Sequence, residues 1–496
     1  MVGILIILEE LLKVYVMALA GKVAVNTVIQ ILTKIVTTGL SLFIIALTTR
    51  YLGLHGFGQY TTAITFVTFF SIAADLGLTL VTTQLISRPG VDVSRTMSNL
   101  FSFRLISGFI IISLAPIIVL FSPYEMVVKQ GVGVAAIAFY FVLLSQIFVS
   151  LFQKELRTEK IAIAEVVSRI LVLALTIWAI GANLGVIGLL WTITIGNALS
   201  FLLHFFYARR YAKIGFRYES AVWKDIMSRS WPLVITIVLN LVYLKADILI
   251  LSLFRSQSEV GLYGAAYRVI DVLVTIPFMI GGTVLPILAF RWEAKDKENY
   301  QRIWQKVFDA SAIIAWPLVV GGFMLADPIM TLISGEEFAP AGTILKILII
   351  AVGFIFFSAF FSYTMISFNH QRKLIVAYLL TAVTSLVGYF ILIPQFSYFG
   401  AAWVTVYSEV LISLLAWWIV KRHSKLHLSF NRFNKAFFAA CGMGIILFIL
   451  NFSTHTALGL TGVVIMGGMI YFLVLYIMRG ISSKDFAELL PSAWRS

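Results

Sequence analysis

Residues 207–230 read YARRYAKIGFRYESAVWKDIMSRS and carry Arg209, Arg210, Lys213, Arg217, Lys224 and Arg229. On both sides of this basic stretch the chain turns apolar, in runs of about 20 residues, the length a helix needs to cross a hydrocarbon core. Six such runs precede it, at 23–49, 60–86, 98–121, 132–152, 161–182 and 185–206. Eight follow, at 231–254, 262–290, 307–333, 342–368, 374–393, 400–420, 436–452 and 459–478. The 496 residues are 60% hydrophobic and 12% charged, with a mean hydropathy of +0.98. Average soluble domains carry about 25% charged residues, so the composition is that of an integral membrane protein.

The basic residues between the runs are not spread evenly. Counting outward from 207–230, every second gap and both tails are rich in Lys and Arg, whereas the alternate gaps and the run ends beside them hold only Arg50, Lys129, Arg255 and Lys346. By the positive-inside rule the rich set faces the cytoplasm, which predicts a multi-pass plasma or inner membrane protein with both termini cytoplasmic. The formal net charge of +14 is then a topology signal and implies no nucleic-acid partner. Residues 1–22 lack a basic n-region, and Glu9 and Glu10 interrupt their apolar stretch, which argues against a cleavable signal. They read as a short cytoplasmic or interfacial helix, with Met17 as an alternative start. The single cysteine, Cys441, lies within an apolar run, so no intramolecular disulfide can form.

Two internal echoes suggest a duplication. Phe57-Gly58-Gln59-Tyr60 returns as Val260-Gly261-Leu262-Tyr263 at an offset of 203, and Gly188-Leu189-Leu190-Trp191 as Gly400-Ala401-Ala402-Trp403 at an offset of 212. Six spans per repeat would insert both copies the same way up, with a pseudo-twofold axis along the membrane normal. This divides the chain into an N-lobe at 23–206, a cytoplasmic inter-lobe linker at 207–230 on an anionic membrane surface, a C-lobe at 231–420, and two extra helices with a tail at 421–496.

Charged side chains inside the runs narrow the function. An ionisable group at mid-bilayer costs at least about 2.5–3.5 kcal/mol, so each needs a partner, a hydrated cavity or a role. Among the charged residues inside the runs are Lys34, Asp75, Arg104, Glu165, Arg169, Lys245, Asp247, Arg268, Asp271, Asp309 and Glu409. Glu165 and Arg169, at i and i+4, can neutralise each other. Arg104 and Asp309 lie within about two turns of a surface, where an arginine can snorkel. Glu409 has no evident partner in sequence: a protonated carboxyl, a proton carrier and an interhelical pair all remain open. Lys34, Asp75, Lys245 and Asp247 fall near the midplane on the first, second and seventh spans, and Arg268 and Asp271 share a face of the eighth. Symmetry would bring these together, either in a central cavity, where Asp75 and Asp247 neutralise the lysines until a phosphate ligand displaces them, or as interhelical pairs alone. Arg offers a fork of donors to phosphate oxygens and Lys a point charge.

Other chemistries are poorly supported. The longest gap is residues 207–230, too short for a nucleotide-binding domain, and there is no GxxxxGK[ST] phosphate loop. His423 and His427 stand at i and i+4 in a basic loop without a nearby acid, so no metal site is expected there. Glu336-Glu337 is the only local acidic cluster of the outer loops, which argues against a membrane polymerase or glycosyltransferase.

A family likeness emerges from several short motifs taken in order. Arg50-Tyr51-Leu52-Gly53, Gly56-Phe57-Gly58-Gln59-Tyr60 and Asp75-Leu76-Gly77 are followed by Lys245-Ala246-Asp247 and Val260-Gly261-Leu262-Tyr263-Gly264-Ala265-Ala266-Tyr267-Arg268. Phe338-Ala339-Pro340-Ala341 and Gly400-Ala401-Ala402-Trp403 complete the set. The pattern, over about residues 22–420, resembles the Wzx-type polysaccharide-biosynthesis and O-antigen flippases of the multidrug/oligosaccharidyl-lipid/polysaccharide (MOP) exporter superfamily. The resemblance implies an all-α membrane protein of about fourteen transmembrane helices, V-shaped and MATE-like. It implies a transporter, not an enzyme, that flips a polyprenyl-diphosphate-linked oligosaccharide to the outer leaflet by alternating access. The expected phosphate contacts are Lys34, Arg50, Lys245 and Arg268; the expected cavity acids, also candidates for ion coupling, are Asp75, Asp247, Asp271 and Glu409. No cofactor is expected beyond a coupling Na+ or H+, and the chain is expected to act as a monomer beside glycan polymerase or ligase proteins. The rival reading is an ion-coupled organic-cation antiporter of the same superfamily.

Overall fold

The structure, a computed structural model, describes the backbone of residues 2–75, 77–87, 90–368, 370–424, 426–450 and 456–481. Among the described residues it is entirely helical. Fourteen α-helices follow one another: α1 Val2–Asp75, α2 Leu78–Ile86, α3 Val93–Leu120, α4 Met126–Lys154, α5 Thr158–Gly181, α6 Gly185–Ala208 and α7 Ser220–Phe254. Then come α8 Gln257–Glu293, α9 Lys297–Met324, α10 Ala326–Ser334, α11 Ala341–Ser367, α12 Leu374–His423, α13 Asn431–Leu450 and α14 Ala457–Ile477. Among the described residues, eleven helices are long and apolar enough to cross a membrane. The side chains of residues 1–28, on which the interfacial reading of the N-terminus rests, lie outside the described residues, as does Arg88 of the basic set.

Two of these helices each hold two of the apolar runs. At 1.5 Å per residue the 50 residues of α12 would extend about 75 Å, more than twice a hydrocarbon core. A break at Ser397 (φ 53°, ψ −136°) divides α12, and one at Gly53 (φ 62°, ψ −174°) divides α1. Glycine meets a positive φ without a Cβ penalty, whereas Ser397 must be held there. Breaking a helix also strips carbonyls of their intrahelical donors. Arg255 supplies replacements, its Nε donating to Ile393 O at 3.2 Å and its Nη2 to Pro394 O at 2.6 Å. Ser397 Oγ in turn donates to Glu259 Oε1 at 2.5 Å. At the other break the Leu54 amide donates to Glu337 Oε1 at 3.4 Å. Further interruptions fall at Gly77 (φ 68°), between α1 and α2, and at Leu325, between α9 and α10. They divide the runs at 60–86 and 307–333.

The chain forms two compact units: Met1–Leu52 with Gln59–Leu241, and Gly53–Gly58 with Val242–Ser496. In the first, Leu78, Val81 and Leu85 of α2 meet Met97, Leu100 and Phe103 of α3 and Phe148, Leu151 and Phe152 of α4 in one buried cluster. Ala212 and Ile214 from the connection after α6, with Ile226 from the start of α7, close it. That connection is a strap. Ser94, Ser98 and Ser102 line one face of α3 at four-residue spacing, and Ser94 and Ser102 accept the amides of Lys213 and Arg217 at 3.0 and 2.7 Å. Ser98 accepts from Gly215 N at 3.3 Å and donates to Lys213 O at 3.1 Å, while the Glu219 amide donates to Asn99 Oδ1 at 2.9 Å. A period of two along the strap matches a period of four along the helix. Helix α7 begins at Ser220, inside the stretch 207–230, and the division between units falls later, between Leu241 and Val242.

In the second unit α11 is mostly buried among its neighbours. Helices α13 and α14 pack onto α9: Met443, Leu447 and Tyr471 contact Ile313, Trp316 and Val320, and Tyr471 OH donates to Ile313 O at 2.9 Å. Several of the motifs quoted above also converge here. A Cβ on Gly58 would collide with the carbonyl of Gln257, and one on Gly261 with the carbonyl of Leu54. Both pairings map onto each other under the 203-residue offset. Phe57 and Phe338 meet edge to face beside this crossing, with ring centroids 5.9 Å apart.

Candidate functional site

In unit 1, Arg104 projects from α3 into the bundle and is wholly buried. It lies eleven residues into α3, about 16 Å from the helix start at 1.5 Å per residue. Its Nε donates to Leu143 O at 3.0 Å; its Nη2 donates to Asp75 Oδ1 at 2.6 Å and to Gln146 Oε1 at 2.7 Å. Thr79 adds a donor to Asp75 Oδ1 at 2.8 Å. The expectation that Arg104 snorkels is therefore corrected, and so is the expectation that lysines neutralise Asp75. Helix α3 begins at Val93, five residues before its apolar run, which carries Arg104 inward. Lys34 of α1 is exposed and lies within electrostatic reach of Glu165 on α5, as does Arg169. Arg50 is exposed on α1.

In unit 2 the charges sort differently. Lys245 on α7 donates to Asp271 Oδ1 on α8 at 2.8 Å, and its ammonium stands 4.3 Å from the Tyr267 ring centroid. Arg268, one turn before Asp271, approaches the same carboxylate at 3.9 Å. The three side chains keep 26%, 28% and 39% of their surface exposed. Two cations share one acid, so this patch carries a net positive charge on an accessible face. The 3.9 Å contact is too long for a hydrogen bond, which leaves the Arg268 donors available to a ligand.

Behind the patch lies a buried polar layer. Asp247, two residues after Lys245, is fully buried; its Oδ2 accepts from Tyr263 OH at 2.7 Å and lies 3.4 Å from Thr405 Oγ1. Tyr389 OH lies 3.3 Å from the same threonine oxygen. Glu409 is buried on α12 and accepts from Ser358 Oγ at 3.3 Å, a partner from α11 that sequence spacing does not reveal. Asp247 and Glu409 thus sit inside the unit 2 bundle. The expected pairing of Asp247 with a lysine is also corrected: Lys245 turns to Asp271, and tyrosine and threonine hydroxyls take its place. Ser385 and Thr381, one and two turns before Tyr389, hold buried hydroxyls without a hydrogen-bond partner among the described residues. No group of three His, Cys, Asp or Glu side chains able to hold a metal exists among the described residues.

Comparison with known proteins places this arrangement. The family described as "Polysaccharide biosynthesis protein" matches residues 23–292, more than half of the chain. The chain belongs to that family. A second family, MatE, matches residues 232–391. The teichuronic acid biosynthesis protein TuaB of Bacillus subtilis is 24% identical over 383 residues, covering 73% of this chain and 76% of its own. The protein named "Probable low-salt glycan biosynthesis flippase Agl15" of Haloferax volcanii is 22% identical over 311 residues, 60% of this chain and 64% of that one. Among solved structures, the lipid II flippase MurJ in an inward closed conformation superposes with a TM-score of 0.75 over 93% of this chain and 99% of that one, at 15% identity. An inward-facing MATE-family multidrug transporter of the MOP superfamily gives 0.64 over 78% and 98%, at 14% identity. This member of the polysaccharide biosynthesis family is therefore a multi-pass membrane protein with a MurJ- and MATE-like fold.

Proposed function

We propose that the chain is a flippase that moves a polyprenyl-diphosphate-linked oligosaccharide from the cytoplasmic to the outer leaflet by alternating access, for assembly of a cell-surface polysaccharide or glycan. The observation that carries this reading is the part-exposed trio on α7 and α8, where Lys245 and Arg268 share the single carboxylate of Asp271. An incoming diphosphate exchanges for that carboxylate, with the Arg268 fork and the Lys245 ammonium as its donors. Lys34 and Arg50 are further candidate contacts, on the first unit's helix. The sugar headgroup is too polar to cross hydrocarbon unaided, so the protein need supply only a hydrated path open to one side at a time. Family membership and relatives named for teichuronic acid biosynthesis and glycan flipping support the reading.

Direction can come from an ion gradient or from consumption of product outside. The Asp247 layer is the candidate coupling element, for Na+ or H+, because it joins a buried carboxylate to tyrosine and threonine hydroxyls and lies along α12 from two unpartnered ones. Asp75, Asp271 and Glu409 are the other acids proposed to take part. A second reading, an ion-coupled organic-cation antiporter, is favoured by the MatE match over residues 232–391.

Native mass spectrometry of protein gently extracted from its own host tests the proposal. A co-purified polyprenyl-diphosphate glycan is the expected result, lost in Lys245→Ala and Arg268→Ala. Absence of any glycan lipid, together with expulsion of an organic cation from proteoliposomes against a proton or sodium gradient, would transfer the assignment to the antiporter.

A further inference from the structure

The strap after α6 carries charge that nothing in the unit neutralises. At its far end Glu219 pairs with both Arg95 and Arg217, so the bases there have a carboxylate partner. At its near end Arg209, Arg210 and Lys213 have no carboxylate within ion-pair distance among the described residues, and all three are exposed. Between them lies a recess of about 290 Å³ lined by Arg209, Ala212, Lys213, Ile214 and Gly215. That volume is near the lower end for small-molecule sites, about 300 Å³. The recess is preformed: the serine face of α3 holds Lys213 and Gly215 by their backbones, and the Arg209 guanidinium stacks 5.1 Å from the Phe205 ring centroid.

The surroundings are those of a membrane boundary. Helix α6, an apolar span, ends at Ala208, immediately before the two arginines. Phe216 directly follows the lining residue Gly215 and Phe206 lies about one turn before Arg209; both rings are exposed, at 69% and 62% of their surface. Aromatic rings at headgroup level with basic residues beside them favour an anionic lipid interface. A soluble anion would explain the charges but not the rings.

We propose that the recess binds the phosphate of an anionic phospholipid headgroup, with Arg209 and Lys213 as its donors and Arg210 as a neighbouring charge, while Phe206 and Phe216 lie against its acyl chains. Occupancy fixes the α6–α7 strap to the bilayer surface. The assignment stands whether or not the chain transports a lipid-linked glycan. The shared chemistry is a phosphate ester, which a bilayer phospholipid and a diphosphate-linked substrate both offer; the ring arrangement commits the site to the phospholipid.

The test uses the full chain in a neutral detergent, titrated with short-chain phosphatidylglycerol, phosphatidylcholine or inorganic pyrophosphate and read by native mass spectrometry. Wild type is expected to retain phosphatidylglycerol, and the double variant Arg209→Gln/Lys213→Gln to lose about thirtyfold in affinity, at roughly one charge contact per residue. Arg157→Gln, a basic residue already paired with Glu159, is expected to leave binding unchanged. Equal retention of phosphatidylcholine, or displacement of phosphatidylglycerol by equimolar pyrophosphate, overturns the assignment. Should the double variant unfold, a photo-crosslinker at Phe216 in the otherwise unaltered chain decides: adducts with phosphatidylglycerol support the site, and their absence overturns it.

Discussion

Both units bury charge in a membrane span, yet they do it in opposite ways. In unit 1 the Arg104 guanidinium is wholly buried and its donors are taken by Leu143 O, Asp75 and Gln146 at 2.6–3.0 Å. In unit 2 Lys245, Arg268 and Asp271 keep a quarter to two fifths of their surface, and one of the contacts is a loose 3.9 Å. A saturated buried pair has nothing left to offer a ligand and is costly to break. A part-exposed trio with excess positive charge gains from a phosphate and tolerates change. Charge inside a membrane is thus not one signal: saturation separates the group that holds the bundle together from the group proposed to bind.

This contrast predicts its own largest effect. Arg104→Ala strands Asp75 inside unit 1, and breaking a buried pair by removing one partner costs about 3–5 kcal/mol. Yield of folded protein and thermal unfolding midpoint are expected to fall together. Normal folding with lost transport would instead move Arg104 into the binding set and erase the contrast. The second effect is steric. Gly58→Ala and Gly261→Ala each force a Cβ onto a backbone carbonyl, at Gln257 and Leu54 respectively, and such overpacking costs about 1–3 kcal/mol or more. Gly133→Ala, with open space around the new Cβ, is the control and should leave the unfolding midpoint unchanged. A midpoint unchanged in all three variants would mean that the α1–α8 crossing is looser than drawn.

The trio gives the third effect. Lys245→Ala and Arg268→Ala are expected to lower transport of lipid-linked glycan by tenfold or more while shifting stability by less than about 1 kcal/mol, because their ion pairs are part-exposed. Loss of folded protein in proportion to activity would make the trio another structural pair and remove the distinction between the units.

How much of this was legible beforehand follows from the range of each interaction. The apolar runs recur in the helices because crossing a bilayer imposes length and hydropathy locally. Gly53 could be read as a break, since only glycine takes φ 62° freely. Ser397 could not: its φ of 53° is held by Glu259, 138 residues away, with Arg255 satisfying carbonyls beside it. Arg268 and Asp271 share a helix face by their spacing, whereas Lys245 reaches them from the neighbouring helix, 26 residues from Asp271. Asp247 looked like its partner, two positions apart, but a separation of two puts side chains on different helix faces. Position counted from the end of an apolar run misplaced Arg104, because α3 starts before the run does. The motifs that carry the family likeness are in part packing residues, with Gly58, Gly261, Phe57 and Phe338 meeting at one crossing. Their residue types mark close approach, and the proposed ligand contacts are charged side chains instead.

The smallest effect concerns the strap of unit 1, whose one acid lies outside the membrane spans. Hydrogen bonds from Arg95, with help from Asn99 and Arg217, pull the Glu219 carboxyl down to about 2 from its ordinary 4.5. A depressed carboxylate stabilises the strapped state fully above about 4.5, and that contribution fades as pH falls from there toward 2. The strap is therefore expected to ignore pH between 5 and 8 and to loosen only in acid. A spin label on a cysteine placed at Phe216, with Cys441 replaced by serine, reads the change as increased mobility. Glu219→Gln should raise mobility at neutral pH and abolish the acid transition. A transition near neutrality in the labelled wild type would assign control of the strap to a different group, and the ion pairs of Glu219 would then be incidental to the strap's position against α3.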